Sequence, residues 1–492
     1  MRTWGNLSAI HTRIRANASK IWLGLVLAIF LGVKLFQLTE YHLPIWDEAV
    51  YVGMGKWLFS GGSVGLWEPI RPLLFPVVLG FYWWLGLPVV LMGEITQVLV
   101  GAAILVLTYL IAMRVFNWRV GILASLTLSI YPIFFQNSNL LLVETTSTLF
   151  VLLALYSFIC GRAMAAGVFA GLAFLTRFPQ GLVLPVLMFA CLGKRGWWKR
   201  AAAICIGFGL ICIPFLVFNL ISYSGQGPIA AMLYPLKVAS VHQSNPFEAA
   251  PGNWWQKLLF YFTELTTQSW LFLLILPGLL FTVVYRLFRQ QKVRLMLIMI
   301  LLYIMYYTYI INKQTRFAIS FLPVACIFIA YGGFALYHLF AGGIPRARFF
   351  FTFICLAVLL LLLVQPIKQD LKYIGWRYKS EPPIVEGFYR YFETHKTYEA
   401  ILTADPVPAA YTDALFIPAY NNVSDGLSKF GSAMGAGWII FKLSPYPCLQ
   451  GDLKCASEKD EMVRAVSRNQ LIYTESFFGE TYQIYHIVSS PD

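Results

Sequence analysis

Charge is scarce in this 492-residue chain: 12% of residues are Asp, Glu, Lys or Arg, against 59% hydrophobic residues and a mean hydropathy of +0.67. A water-soluble globular protein of this length is excluded, because too little polar surface is available to cover it. Acid is scarcest of all in the first three quarters. Residues 1–365 hold eight acidic side chains against 25 basic ones, a balance of +17, whereas 366–492 hold 15 against 12, a balance of −3. The basic excess therefore lies among apolar runs, where the positive-inside rule accounts for it, and no nucleic-acid partner is expected. No internal repeat or low-complexity segment is visible. Of eight cysteines, Cys160, Cys191, Cys205, Cys212, Cys326 and Cys355 sit in apolar runs and read as packing. Cys448 and Cys455, seven apart in a polar stretch, could form a disulfide in an oxidising compartment.

What is abundant is apolar sequence in lengths that suit a bilayer. The N-terminus carries Arg2, Arg13, Arg15 and Lys20 without an acid and enters a run at 21–39 that is too long for a signal-peptide core. It reads as an uncleaved first span entering from the cytoplasm. Later basic clusters at Arg114/Arg119, Arg162, Lys194/Arg195/Lys199/Arg200, Arg286/Arg289/Lys292/Arg294 and Arg346/Arg348 mark cytoplasmic turns. Spans are then expected near 21–39, 94–113, 120–136, 142–160, 164–176, 178–192, 201–221, 269–286, 294–312, 317–340 and 349–365, about eleven in all. Residues 73–91 lie against the outer face. The competing layout, which lets 73–91 cross and fuses 164–192, puts Arg177 at mid-bilayer at a cost of about 3 kcal/mol.

In the preferred layout every acid before residue 366 falls at the extracytoplasmic face: Glu40, Asp47, Glu48, Glu68, Glu94, Glu144, Glu248 and Glu264. Orientation rules count Lys and Arg and do not demand this segregation, so chemistry is expected outside. Two long outer loops, 40–72 and 222–268, are candidates to carry it. From 366 the pattern becomes soluble. A helix at 384–396, strands at 400–404 and 436–442, a helix after Asp405, a helix at 456–467 and paired strands at 470–476 and 481–488 suggest a small extracytoplasmic α/β domain. The expected fold is thus an α-helical polytopic membrane protein over 1–365 with a C-terminal α/β domain over 366–492.

Adjacent acids Asp47 and Glu48 open a helix in the first outer loop (PIWDEAVY). Asp47 is either an N-cap or a working carboxylate. Glu68 and Arg71 follow between prolines (WEPIRPLLFP); Arg71 could grip a phosphate bidentately, a lipid headgroup or Glu68. Arg177 lies at the outer turn of a tight hairpin (LTRFPQG), and Lys313 and Arg316 lie where the ninth span turns into the tenth. Interfacial cations also anchor helices by snorkelling. Together with the acids, the four suit a substrate with a membrane-embedded phosphate and a transferable group reaching into water.

The order WDEAVY, then Glu68-x-x-Arg71-Pro72-Leu73, then Glu144 in LLLVETTSTLF, then GLAFLTRFPQG, then RFAISFLPV resembles the GT-C superfamily of polyprenyl-phosphate-sugar-dependent glycosyltransferases, in particular the protein O-mannosyltransferase and aminoarabinose transferase branch. The likeness spans residues 20–340. It implies that Asp47 acts as general base on the acceptor, with Glu48 shaping the acceptor site, and that Arg71, Arg177 and Arg316, with Lys313 as a further candidate, hold the donor phosphate. Glu68 and Glu144 are supporting acids. Transfer would invert the anomeric centre. The implied partners are a polyprenyl-phosphate-linked sugar, membrane lipid, and a protein, glycan or lipid acceptor that the C-terminal domain helps to select.

No Asp-x-Asp is present, so metal independence is expected; a divalent cation on Asp47, Glu48 and Glu144 is the alternative. His242 in the second long loop is either a solvated loop residue or part of the acceptor site. A lipid transporter or flippase would place charge at the bilayer midplane and show repeated halves. A noncatalytic scaffold would tolerate loss of Asp47 and Arg316. The expected location is the plasma membrane, or the endoplasmic reticulum in a eukaryote, with the N-terminus cytoplasmic.

Overall fold

The computed structural model describes residues 2–40, 42–192, 196–242, 253–342, 348–378, 385–449, 451–477 and 479–488. Lys194, Arg195, Arg346 and Glu248 lie outside them. The chain divides into two compact units, 1–40 with 95–379, and 41–94 with 380–492. This division differs from the compositional boundary at 365/366 in two ways. The last apolar helix runs unbroken from Arg348 to Tyr378 through Pro366, and the segment 41–94 joins the C-terminal residues.

The first unit is helical. Among the described residues six helices are long and apolar enough to cross a membrane: Ala18–Gln37, Val89–Val115, Trp197–Ser222, Gln291–Tyr309, Leu322–Phe340 and Thr352–Trp376. The spans expected at 142–160, 164–176, 178–192 and 269–286 coincide with shorter apolar helices, Val143–Ile159, Ala163–Thr176, Phe178–Cys191 and Trp270–Val284. The segment 120–136 divides into Trp118–Ser129 and Pro132–Asn137, with the break just before Pro132. The second long loop is largely helical, as Pro228–His242 and Trp254–Gln268.

Small residues allow these helices to approach closely, the usual device where lipid offers no hydrophobic contrast. A Cβ on Gly167 would stand 2.0 Å from the Ile204 carbonyl oxygen, and one on Gly207 would stand 2.3 Å from that of Met164. The helices Ala163–Thr176 and Trp197–Ser222 therefore cross backbone to backbone.

The second unit is built on a five-stranded mixed sheet, β1 (Ile401–Thr403), β2 (Phe416–Pro418), β3 (Trp438–Phe441), β4 (Gln470–Phe477) and β5 (Glu480–His486), in the order β2-β1-β3-β5-β4. β1 lies parallel to both β2 and β3, with Ile401 opposite Phe416 on one side and Trp438 on the other. β5 runs antiparallel to β3 and β4. β2 and the helix Val423–Ser432 were not anticipated from sequence.

The segment 41–94 packs on this sheet. Its helix Trp46–Phe59 buries Ala49, Val50 and Met54 in one core with Phe388, Ile401, Phe416, Ile440 and Ile484. Gly65 extends the β2 edge, donating to the Ala414 carbonyl at 2.8 Å and accepting from Phe416 N–H at 2.8 Å. Gly55 and Gly80 permit the helix Leu74–Trp84 to touch Trp46–Phe59, since a Cβ on Gly55 would meet the Pro76 oxygen at 2.6 Å. Buried Lys56 ties the helix to Asp413 at 3.0 Å and to the carbonyls of Ala410 and Thr412.

Candidate active site

The helix Trp46–Phe59 starts after Ile45, so Asp47 is its second residue and not its cap. The capping role falls to Glu48, whose Oε2 accepts from Ile45 N–H at 2.7 Å. Adjacent helical residues point about 100° apart, and the two acids part company accordingly. Asp47, 19% exposed, accepts from Arg71 Nη2 at 2.7 Å. Glu48 is fully buried and meets His42 Nε2 at 3.1 Å, while His42 Nδ1 lies 2.7 Å from Glu94. The Glu48 carboxylate thus closes the helix and binds His42. Burial alone would lower the His42 pKa, but Glu48 and Glu94 outweigh it and push the imidazole up to about 9.

Arg71 is the hub of the second unit. Pro69 and Pro72 fix the backbone around it. Its Nε donates to Glu68 Oε2 at 3.1 Å, its Nη1 donates to Tyr51 Oη at 3.2 Å, and the guanidinium lies 5.2 Å from the Tyr51 ring centroid. Tyr51 follows Asp47 by one helical turn, which places both on one face. Burial disfavours the charged guanidinium, but Asp47, Tyr51 and Glu68 raise its pKa well above the ordinary value. Glu68 itself is buried and accepts from Tyr420 Oη at 2.6 Å through its other oxygen. The result is a fixed cation, mostly but not wholly withdrawn from water, beside a part-exposed carboxylate.

The first unit gathers a second group. Glu144 opens Val143–Ile159, where the helix dipole favours an anion. Its Oε1 lies 3.4 Å from Arg316 Nε and 3.7 Å from Arg177 Nη2. Its Oε2 is buried without a hydrogen-bond partner among the described residues. Arg177 donates to Tyr307 Oη at 2.9 Å and lies 4.2 Å from the Phe317 ring centroid. Tyr307 and Gln180 both bond Ser320 Oγ, at 2.9 and 2.6 Å. Phe178, the residue after Arg177, lines an open apolar hollow of about 410 Å³ with Phe174, Leu182, Phe208, Leu236 and Tyr306.

The structure thus brings Asp47, Glu68 and Arg71 together in one unit, and Glu144, Arg177 and Arg316 together in the other. Lys313 donates to the carbonyls of Thr308 and Ile310 in its own turn, and burial, reinforced by Lys257, lowers its pKa. His242 ends the helix Pro228–His242 and its side chain lies outside what is described. Cys448 and Cys455 are joined by a disulfide. Among the described residues no three His, Cys, Asp or Glu side chains are grouped to hold a metal ion. Sequence reasoning missed Tyr51, His42 and Tyr420, and also Lys34, fully buried in the first span with Gln37, Asn139 and the Phe135 carbonyl as partners.

Comparison with known proteins finds the same fold, a helical membrane domain with a smaller C-terminal domain, in several glycosyltransferases of known structure. A model of the family described as dolichyl-phosphate-mannose-protein mannosyltransferase matches residues 76–218. The chain is similar to the crystal structure of ArnT from Cupriavidus metallidurans bound to undecaprenyl phosphate, at 16% identity and a TM-score of 0.62, over 95% of this chain and 98% of that one. It is similar to the oligosaccharyltransferase of Archaeoglobus fulgidus at 12% identity and a TM-score of 0.60, over 96% and 74%. The arabinofuranosyltransferase AftD from Mycobacteria matches at 12% identity and a TM-score of 0.51, over 96% of this chain and 40% of that one.

Proposed function

We propose that this chain is a membrane glycosyltransferase that moves a single sugar from a polyprenyl-phosphate carrier to an acceptor at the extracytoplasmic face, with inversion. The observation that carries the reading is the Asp47–Arg71 pair, a carboxylate and a guanidinium 2.7 Å apart and both partly open to solvent. A sugar already linked to phosphate needs no acid to protonate its leaving group. It needs a base for the acceptor hydroxyl and a cation for the departing phosphate. Arg71 engages Asp47; a phosphate competing for the same guanidinium edge would release Asp47 toward the acceptor. Donor binding and activation of the base are then one event.

The ArnT structure, bound to undecaprenyl phosphate, supports a lipid-phosphate donor here. In the first unit, Arg177 and Arg316 are proposed phosphate-contacting cations, with Lys313 as a further candidate. The apolar hollow that begins at Phe178 suits an isoprenoid chain. The acceptor is a protein, glycan or lipid, and the membrane is the plasma membrane or the endoplasmic reticulum. A flippase and a noncatalytic scaffold are both disfavoured by the glycosyltransferase folds the chain resembles.

The test is release of free polyprenyl phosphate from a radiolabelled polyprenyl-phosphate sugar mixed with purified protein and membrane extract. Asp47→Asn should lower that release by roughly 10²–10⁴-fold, the usual contribution of a general base, while eluting from a sizing column as the wild type does. Turnover at the wild-type rate would refute the assignment of Asp47.

A further inference from the structure

In open sheets with parallel strands, ligands bind outside the carboxyl ends of the strands at the point where strand order reverses. Here that point is β1, flanked by β2 and β3. The residues just past those ends are Asp405 after β1, Tyr420 after β2 and Lys442 after β3. They engage the segment that carries Asp47: the Trp46 and Tyr420 rings meet edge to face at 4.8 Å, and Lys442, paired with Asp405 at 2.6 Å, lies 5.8 Å from the Trp46 ring.

Tyr420 also reaches further. Its hydroxyl donates to Glu68 Oε1 at 2.6 Å, and the opposite oxygen, Oε2, receives Arg71 Nε at 3.1 Å. Burial and the charge of Glu68 raise the phenol's pKa well above its ordinary value, so Tyr420 serves Glu68 as a donor. Each Glu68 oxygen thus has a separate anchor, which fixes the plane of the carboxylate and with it the plane of the guanidinium. Planar, bidentate recognition of phosphate depends on that orientation.

We propose that Tyr420, supplied by the C-terminal sheet, is a positioning residue that sets Arg71 for the donor phosphate through Glu68. The C-terminal residues therefore help to build the donor site. The inference rests on the reading of Arg71 as a phosphate ligand and deepens it.

Tyr420→Phe keeps the ring against Trp46 and removes only the hydroxyl. The probe is undecaprenyl phosphate, titrated into detergent-solubilised full-length protein and followed by intrinsic tryptophan fluorescence. Loss of one hydrogen bond to a charged group should weaken binding about tenfold. In an Arg71→Ala background, already weakened, Tyr420→Phe should change affinity less than twofold, a coupling that a general loss of structure would not produce. Full additivity of the two substitutions, or wild-type affinity of Tyr420→Phe while Arg71→Ala binds weakly, would overturn the role of Tyr420 and leave Arg71 standing. Unchanged affinity of Arg71→Ala, or no binding by the wild type, would instead overturn the reading of Arg71 itself and with it the relay.

Discussion

His42 offers a test of the second unit's electrostatics that needs no substrate. It lies 3.1 Å from Glu48 and 2.7 Å from Glu94 and is nearly withdrawn from water. Burial alone would favour the neutral ring, yet the two carboxylates raise its pKa from 6.5 to about 9. A shift of that size corresponds to on the order of 3 kcal/mol favouring the folded state with a charged imidazolium. Because the folded pKa is the higher one, the stabilisation is fully present below pH 6.5 and is lost as pH rises through 9. For a unit of this size 1 kcal/mol moves a thermal midpoint by about 2–4 °C, so His42→Gln should melt roughly 6–12 °C below the wild type at pH 6. At pH 10 the gap should have largely closed, apart from whatever the neutral hydrogen bonds contribute. Midpoints from tryptophan fluorescence of the solubilised protein across pH 6–10 read this directly. A gap that stays constant from pH 6 to pH 10 would refute the imidazolium between the two acids.

Two further substitutions probe packing and the second ion cluster. Gly55→Val places a branched side chain where even a Cβ meets backbone 2.6 Å away. Folded protein should be lost, with aggregation on a sizing column, and a monodisperse variant with an unchanged melting curve would contradict the close helix approach. Glu144→Gln removes the carboxylate shared by Arg177 and Arg316 and leaves two largely buried cations. Breaking such a buried arrangement costs about 3 kcal/mol, visible as a lowered thermal midpoint, and a midpoint equal to the wild type would show that the three groups do not depend on one another.

Much of this arrangement is written locally in the chain. WDEAVY, E-x-x-R and the Glu144, Arg177 and Arg316 segments were recognisable because each carries a charge where apolar sequence makes charge costly. The structure pairs the members of each group. The roles of Asp47 and Glu48 were not legible to the same degree, since neighbouring acids look alike until the start of the helix assigns one to the cap. Tyr420 carried no signal at all: it is one tyrosine in a polar loop, and its value comes from Glu68, 352 positions away. β2 escaped notice because it is three residues long and ends at Pro418. The helix Arg348–Tyr378 overran the expected boundary because composition turns polar at 366 while the backbone stays helical through Pro366.

The second unit is discontinuous, with residues 95–379 inserted between its two parts. That has a consequence for biosynthesis. A ribosome adding about 5–20 residues per second needs roughly 15–60 s to make the 285 intervening residues. Throughout that interval the helix Trp46–Phe59 has been translated but the strands that receive it have not. Until those strands are made, Ala49, Val50 and Met54 lack the partners Phe388, Ile401, Phe416, Ile440 and Ile484 that share their core.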